Sequence, residues 1–352
     1  MTKFDLISVG DNATDAFIKL SEAELNCDIN RPECKICMRF AAKIPYESVT
    51  EVPAGGNSSN VVLGSAKLGL KTAYISNIGD DDNGKKTLAK LTVAGVDPTW
   101  VKQNTGVPTN YNYVLWYADD RTILVKHENY SNEWPLDNDQ MSADWLYLSS
   151  VSDHDFSLHE KISAWLIAHP EVRLAFSPGT WQLKKGKEKL KDIYARTEIF
   201  FGNKQEAEKV VGEEFRSPTS GELVRNATSS EPEVVFRTSE LKKLAEAVKS
   251  LGPKIVVITD GENGAYCLDN ENKLWFMPTL NAQALERTGA GDGFASAFLS
   301  AIFYEQPTEI ALAWGAVNAS SVVAQIGPHA GQLTREEIET KIKSDSLIAQ
   351  KV

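Results

Sequence analysis

The chain has 352 residues, with 37 Lys and Arg against 48 Asp and Glu, for a formal net charge of −11 at pH 7. That acidic balance excludes non-specific nucleic-acid binding, which needs a basic footprint. It leaves a phosphorylated ligand open, because backbone amides and Mg2+ handle phosphate without a basic surface. A hydrophobic share of 42% supports a real core, and no window approaches the ~18 continuous apolar residues of a membrane span. The start, Met1 to Asp5, runs straight into a strand-like segment rather than a signal peptide. No membrane partner is therefore expected, and the expected location is cytoplasmic.

Phe4–Gly10 reads as a buried strand ending at a glycine, and Asp11, Asn12 and Asp15 follow at its carboxyl end. Residues 16–52 show no helical period and read as an insertion. Ala54-Gly55-Gly56-Asn57 then leads into an apolar run from Val61, the pattern of a loop entering a helix. Thr72–Gly79 is a second strand, with a helix near 85–94. Segments 111–117 and 122–126 read as a hairpin turning at 118–121. Strands at 145–149, 173–177, 198–201 and 254–259 then alternate with helices near 157–168, 186–195, 204–211 and 239–251. A loop rich in Ser, Thr, Pro and Glu covers about 212–233. A second hairpin spans 264–269 and 274–277, and helices near 291–304, 307–325 and 334–343 close the chain. Such alternation predicts an α/β fold with a doubly wound, mostly parallel sheet flanked by helices.

Cys27, Cys34 and Cys37 cluster as C-x6-C-x2-C, and Cys267 stands apart. Without a secretory signal, free thiols in a loop are the expectation. The competing reading is a small zinc site on Cys27, Cys34 and Cys37, completed by Asp28, Glu33 or a partner chain.

Three stretches carry the chemistry. In Glu286-Arg287-Thr288-Gly289-Ala290-Gly291-Asp292, glycines precede a helix whose first amides lack intrahelical partners and whose dipole is positive at that end. An anion hole with a carboxylate inside it suits phosphoryl transfer, the amides holding the migrating charge and Asp292 taking a hydroxyl proton. The plainer reading is a helix-stabilising aspartate. Asn203 and Glu206 stand one helical turn apart after a strand, which suits hydrated Mg2+ or a capping box. Thr259-Asp260-Gly261-Glu262-Asn263-Gly264 is a glycine-rich turn after a buried strand. Gly79–Lys86 comes close to a phosphate-binding loop, but Lys86 stands where Ser or Thr would bind magnesium, and three aspartates repel a polyphosphate.

Together these stretches resemble the ribokinase-like, or PfkB, carbohydrate kinases over nearly the whole chain. The most specific matches are Ala54-Gly55-Gly56-Asn57 and Thr288-Gly289-Ala290-Gly291-Asp292, supported by Ile78-Gly79-Asp80-Asp81, Asn203-x-x-Glu206 and the turn from Thr259 to Gly261. The resemblance implies an ATP-dependent kinase for a hydroxyl of a sugar or sugar derivative. Asp292 is then the general base, and the amides of Gly289, Ala290 and Gly291 form the anion hole. Asp11, Asn12, Asp15, Gly55, Gly56 and Asn57 line the acceptor site. Asn203, Thr259, Gly261, Gly264, Thr288 and Asn318 lie at the nucleotide, and Asn203 with Glu206 manages Mg2+ through water. Residues 16–52 and 110–127 match the family's β lid, leaving 1–15, 53–109 and 128–352 as the catalytic domain. The chain is then a monomer or a homodimer through the lid. Glu286-Arg287 departs from the family's usual aspartate, which puts a monovalent cation in question. Tyr111, Tyr113 or Trp116 would wall a nucleoside site, the alternative acceptor class. A non-catalytic ligand-binding relative is the other alternative, since fold does not fix function. Arg121 and Lys126 are candidates for a phosphate already on the acceptor.

Overall fold

The computed structural model describes residues 2–27, 34–117, 120–135, 141–152, 156–212, 233–280 and 284–352. The expected hairpin turn falls partly outside these, at 118 and 119, as does nearly all of the polar loop expected at 212–233.

A ten-stranded sheet forms the centre. Its parallel part is β7 (Val96–Asn104), β6 (Thr72–Gly79), β1 (Thr2–Val9), β10 (Met141–Leu148), β11 (Arg173–Phe176), β12 (Thr197–Asn203) and β13 (Ile255–Thr259), in that spatial order. The antiparallel strands β14 (Ala265–Leu268), β15 (Leu274–Met277) and β16 (Gln350–Lys351) extend one edge. Successive side chains of a strand face opposite ways, so each strand feeds two cores. Leu6 joins Tyr147, Phe201, Phe298 and Trp314 on one face. Ile7 joins Leu146, Phe176 and Phe200 on the other. The sheet grows away from β1 in both directions, and the carboxyl edge of strands at such a switch point is where open α/β sheets bind ligands.

The helices are α1 (Asn57–Lys67), α2 (Asp82–Val93), α3 (Ser157–Ala168), α4 (Thr180–Lys185), α5 (Lys191–Arg196), α6 (Lys204–Val211), α7 (Glu233–Lys249), α8 (Ala290–Phe303), α9 (Thr308–Val322) and α10 (Arg335–Asp345). Of the helix expected near 186–195, only the second half forms, as α5, and α4 lies before it. Gly186, at φ 82°, ends α4, and the chain restarts in α5. Strand β7 was not foreseen in the sequence; it contains Pro98, which an edge strand tolerates.

Residues 16–52 are not an unpatterned insertion. β2 (Ala13–Leu20) and β5 (Tyr46–Gly55) pair with each other, and β8 (Tyr111–Tyr117) and β9 (Asp120–Leu124) complete a second sheet in the order β5-β2-β8-β9. β5 is largely exposed along its first six residues, which hides the alternation that a half-buried strand would show. β3 (Glu24–Cys27) and β4 (Cys34–Cys37) form a separate hairpin. Its register sets Cys27 opposite Cys34, and the two form a disulfide. This overturns the expectation of free thiols at both positions and removes two ligands from the zinc reading. Among the described residues no group of three or more His, Cys, Asp or Glu is placed to hold a metal ion; Asp28 and Glu33 lie outside them. Cys37 and the buried Cys267 are free cysteines. No helix among the described residues is long and apolar enough to cross a membrane.

Candidate active site

α1 and α8 cross closely because small residues meet. A Cβ on Gly64 would lie 2.6 Å from Ser296 Oγ. One turn N-terminal to that contact, Asn60 Nδ2 donates to Asp292 Oδ2 at 2.7 Å. Gly289 precedes α8 at φ 81°, the left-handed region where glycine is favoured. Asp292 lies in the helix's first turn, where amides lack intrahelical acceptors. A Cβ on Gly291 would meet nothing within 4 Å, so open space fronts the turn. Burial pushes the Asp292 carboxyl group up to about 7, and the charges of Glu206 and Asp15 add to the rise, against the Asn60 hydrogen bond. A carboxylate poised there can accept a proton near neutrality.

Glu286 is buried and locks the approach to this turn. Its Oε1 accepts from Thr288 N at 2.8 Å and from Thr288 Oγ1 at 2.5 Å. Arg121, from β9 of the small sheet, donates Nε to Thr288 Oγ1 at 3.0 Å and lies 3.8 Å from Glu286 Oε1. Arg287 turns away to Glu262, at 2.8 Å.

Asp15 sits in β2, buried, with Oδ1 accepting from Asn112 Nδ2 at 2.9 Å. Burial raises its pKa. A Cβ on Gly55 would fall 2.4 Å from Asp15 Oδ2, and one on Gly56 (φ 108°) 2.5 Å from Asp11 O. The glycine pair thus presses directly on the acidic strand end, with Asn57 exposed at the start of α1. Asp11 and Asn12 have their own partners. Asp11 Oδ2 accepts from Ser152 N at 2.8 Å and lies 3.5 Å from His127 Nδ1. It lines a cavity of about 260 Å3 with Asn77, Lys102 and Asn132. Asn12 is fully buried beside Thr87, at 3.5 Å.

β12 and β13 end side by side, with Asn203 opposite Thr259. Asn203 and Glu206 form a complete capping box on α6: Asn203 Oδ1 accepts from Glu206 N, and Glu206 Oε2 from Asn203 N, both at 2.9 Å. Burial nevertheless raises the Glu206 pKa, and its charge reaches Asp292. Gly261–Asn263 is a single 3-10 turn, held by Thr279 Oγ1 donating to Gly261 O at 2.8 Å. Gly264 is needed where a Cβ would lie 2.4 Å from Met277 O. Asn318 lies behind the turn, fully buried. Its Nδ2 donates to Gly293 O at 2.8 Å and to Gln332 Oε1 at 2.7 Å, and its Oδ1 accepts from Leu333 N at 2.9 Å.

Residues 20–335 match the family described as pfkB family carbohydrate kinase. The chain belongs to the pfkB family of carbohydrate kinases. It is 24% identical to the 5-dehydro-2-deoxygluconokinase of Halalkalibacterium halodurans, over 98% of this chain and 96% of that protein. It is 26% identical to the protein of the same name from Listeria monocytogenes serovar 1/2a, over 97% and 96%. Among solved structures, Arabidopsis thaliana ribokinase complexed with ribose and ATP superposes with a TM-score of 0.71 at 19% identity, covering 97% of this chain and 99% of that one. That likeness is one of fold. Family membership makes the chain a phosphotransferase acting on a sugar hydroxyl with ATP.

Three groups at the centre of this carbohydrate kinase were not singled out in the sequence: Asn60, Asn112 and His329. Asn60 stands three residues after Asn57, one helical turn along the same face, which is the signal that would have found it. Asn112 and His329 carried no local signal.

Proposed function

We propose that Asp292 removes the proton from an acceptor hydroxyl of a sugar acid of the gluconate type, while the amides of Gly289, Ala290 and Gly291 hold the migrating phosphoryl group. The observation that carries this is Asp292 itself, a carboxylate raised to about 7 beside an open glycine turn at a helix N-terminus. A base whose pKa matches the working pH is most effective, and unpartnered amides stabilise charge that develops in front of them. The carboxylates of Asp15 and Asp292 share a field, which supports Asp15, with Gly55, Gly56 and Asn57, as the holder of acceptor hydroxyls. Asp11 and Asn12 flank that set, with Asp11 Oδ2 held by the Ser152 amide and Asn12 Oδ1 buried without a partner among the described residues.

The nucleotide set is Asn203, Thr259, Gly261, Gly264 and Thr288. Asn318 is left out because its amide is committed to the interior. Glu206 would hold Mg2+ through water. When bound, the ion neutralises phosphate charge.

An acidic acceptor is supported by relatives that are 5-dehydro-2-deoxygluconokinases and by Arg121, which reaches the glycine turn from the small sheet. Arginine pairs well with carboxylates. The sheet β5-β2-β8-β9 acts as the lid that excludes water during transfer. ADP release from Mg-ATP with a panel of sugars, sugar acids, sugar phosphates and nucleosides tests the reading. Sugar acids should give the highest kcat/KM, and a preference for neutral sugars or nucleosides would overturn the acceptor class.

A further inference from the structure

We propose that His329 and Lys90 are positioning residues for the reaction, acting through Asn60 to aim a hydrogen bond at the catalytic carboxylate. The inference rests on the reading of Asp292 as the base.

Four separate elements supply the chain. Lys90 Nζ, on α2, lies 2.6 Å from His329 Nδ1. His329 Nε2 lies 2.8 Å from Asn60 Oδ1. Asn60 Nδ2 lies 2.7 Å from Asp292 Oδ2. The directions follow from donor chemistry. An ammonium group has only donors, so Nδ1 must accept. The neutral ring then carries its hydrogen on Nε2 and must donate to Asn60 Oδ1. That leaves the Asn60 NH2 facing Asp292, and a carboxylate is an acceptor. One cation thus selects a tautomer, the tautomer selects an amide orientation, and the amide selects what the base sees.

Two further observations support the chain. Lys90 is anchored by donating to Pro53 O at 3.1 Å, so its position does not depend on His329. The loop that bears His329 also braces the anion turn, because Pro328 fills the place a Cβ on Gly289 would take, 2.3 Å from its own Cβ. Burial and the Lys90 charge hold the His329 pKa well below the ordinary histidine range, which keeps the ring neutral. The charged or titratable groups facing Asp292 are Asp15 from β2, Glu206 from α6 and Tyr147 from β10. Lys90 itself faces Asp15.

The test combines wild-type and variant protein. 15N-histidine NMR of the wild type at pH 7 should show His329 neutral with its hydrogen on Nε2; a hydrogen on Nδ1, or a charged ring, overturns the chain. His329→Ala should lower kcat at pH 7 on the order of tenfold. It should also move the acid limb of the kcat–pH profile upward, because Asp292 loses a hydrogen bond that favours its charged form. KM for ATP should hold within about twofold. His329→Gln, able both to accept and to donate, should recover part of the loss. A fall in kcat with an unmoved limb is a packing defect and overturns the proposal, as does unchanged turnover. Should His329→Ala not fold, the wild-type tautomer decides. Asp292→Asn separates the two readings. If Asp292→Asn retains turnover, the base assignment fails. If Asp292→Asn is inactive and His329→Ala has the wild-type profile, only the chain fails.

Discussion

Asn60 donates to Asp292 at 2.7 Å across 232 positions of sequence. The bond joins the start of α1 to the glycine turn before α8. It also opposes the desolvation that raises the Asp292 pKa.

Replacing Asp292 with Asn should cut kcat by roughly 10²-fold or more, the scale on which a general base contributes. Steady-state kinetics with Mg-ATP and a nucleotide-binding titration check this together. Binding should persist while turnover is lost. In the wild type, kcat should fall about tenfold per pH unit below about 7, as the raised carboxyl takes up a proton.

The same shift has a cost in stability. Asp292 holds its proton in the folded protein up to about 7, against an ordinary aspartate value of 3.8. The folded state therefore binds more protons between those limits, and its stability declines as pH rises through that window. Asp292→Asn removes the penalty, so its Tm should exceed the wild-type value at pH 8 and the two should converge near pH 4. Equal Tm values at pH 8 would remove the desolvation argument.

Glu206→Gln separates metal handling from helix capping. Glutamine keeps an oxygen for the Asn203 amide and loses the charge. The thermal midpoint should stay close to wild type while the Mg2+ concentration for half-maximal rate rises. Unchanged metal dependence would leave Asn203 and Glu206 as a helix cap alone.

Arg121→Gln should raise KM about tenfold or more for an acidic acceptor, since a desolvated charge-assisted pair is among the stronger polar contacts. It should change KM for a neutral sugar by less than about twofold. Equal effects on both acceptors would assign Arg121 to holding Thr288 and Glu286.

Gly289→Ala places a side chain at φ 81° and against Pro328. Left-handed backbone alone costs about 1–2 kcal/mol for an L-residue, and the overlap adds to it. A fall in Tm with loss of turnover is expected. A wild-type melt would show that the turn does not need glycine.

Local patterns were legible where a local cause produced them. The alternation of strand and helix follows from side-chain periodicity, and the parallel sheet follows from that. The glycine turn before α8 was readable because its unpartnered helix-end amides are supplied by neighbours in sequence. Asn203 and Glu206 were readable as a pair for the same reason, since capping spans a single turn. β5 was missed because its exposed face carries no alternation, and β7 because Pro98 argues against a strand unless the strand lies at an edge.

Sequence by itself determined the fold class, the family, and the carboxylate beside the glycine turn, because each depends on short-range order along the chain. Only the tertiary structure decided that Cys27 faces Cys34 across a hairpin, that Asp11 accepts from the Ser152 amide, and that Asn318 is committed to the interior. It alone joined Lys90, His329, Asn60 and Asp292. Hydrogen bonds act over about 3 Å of space whatever the separation along the chain, and no local pattern of residues encodes partners more than two hundred positions apart.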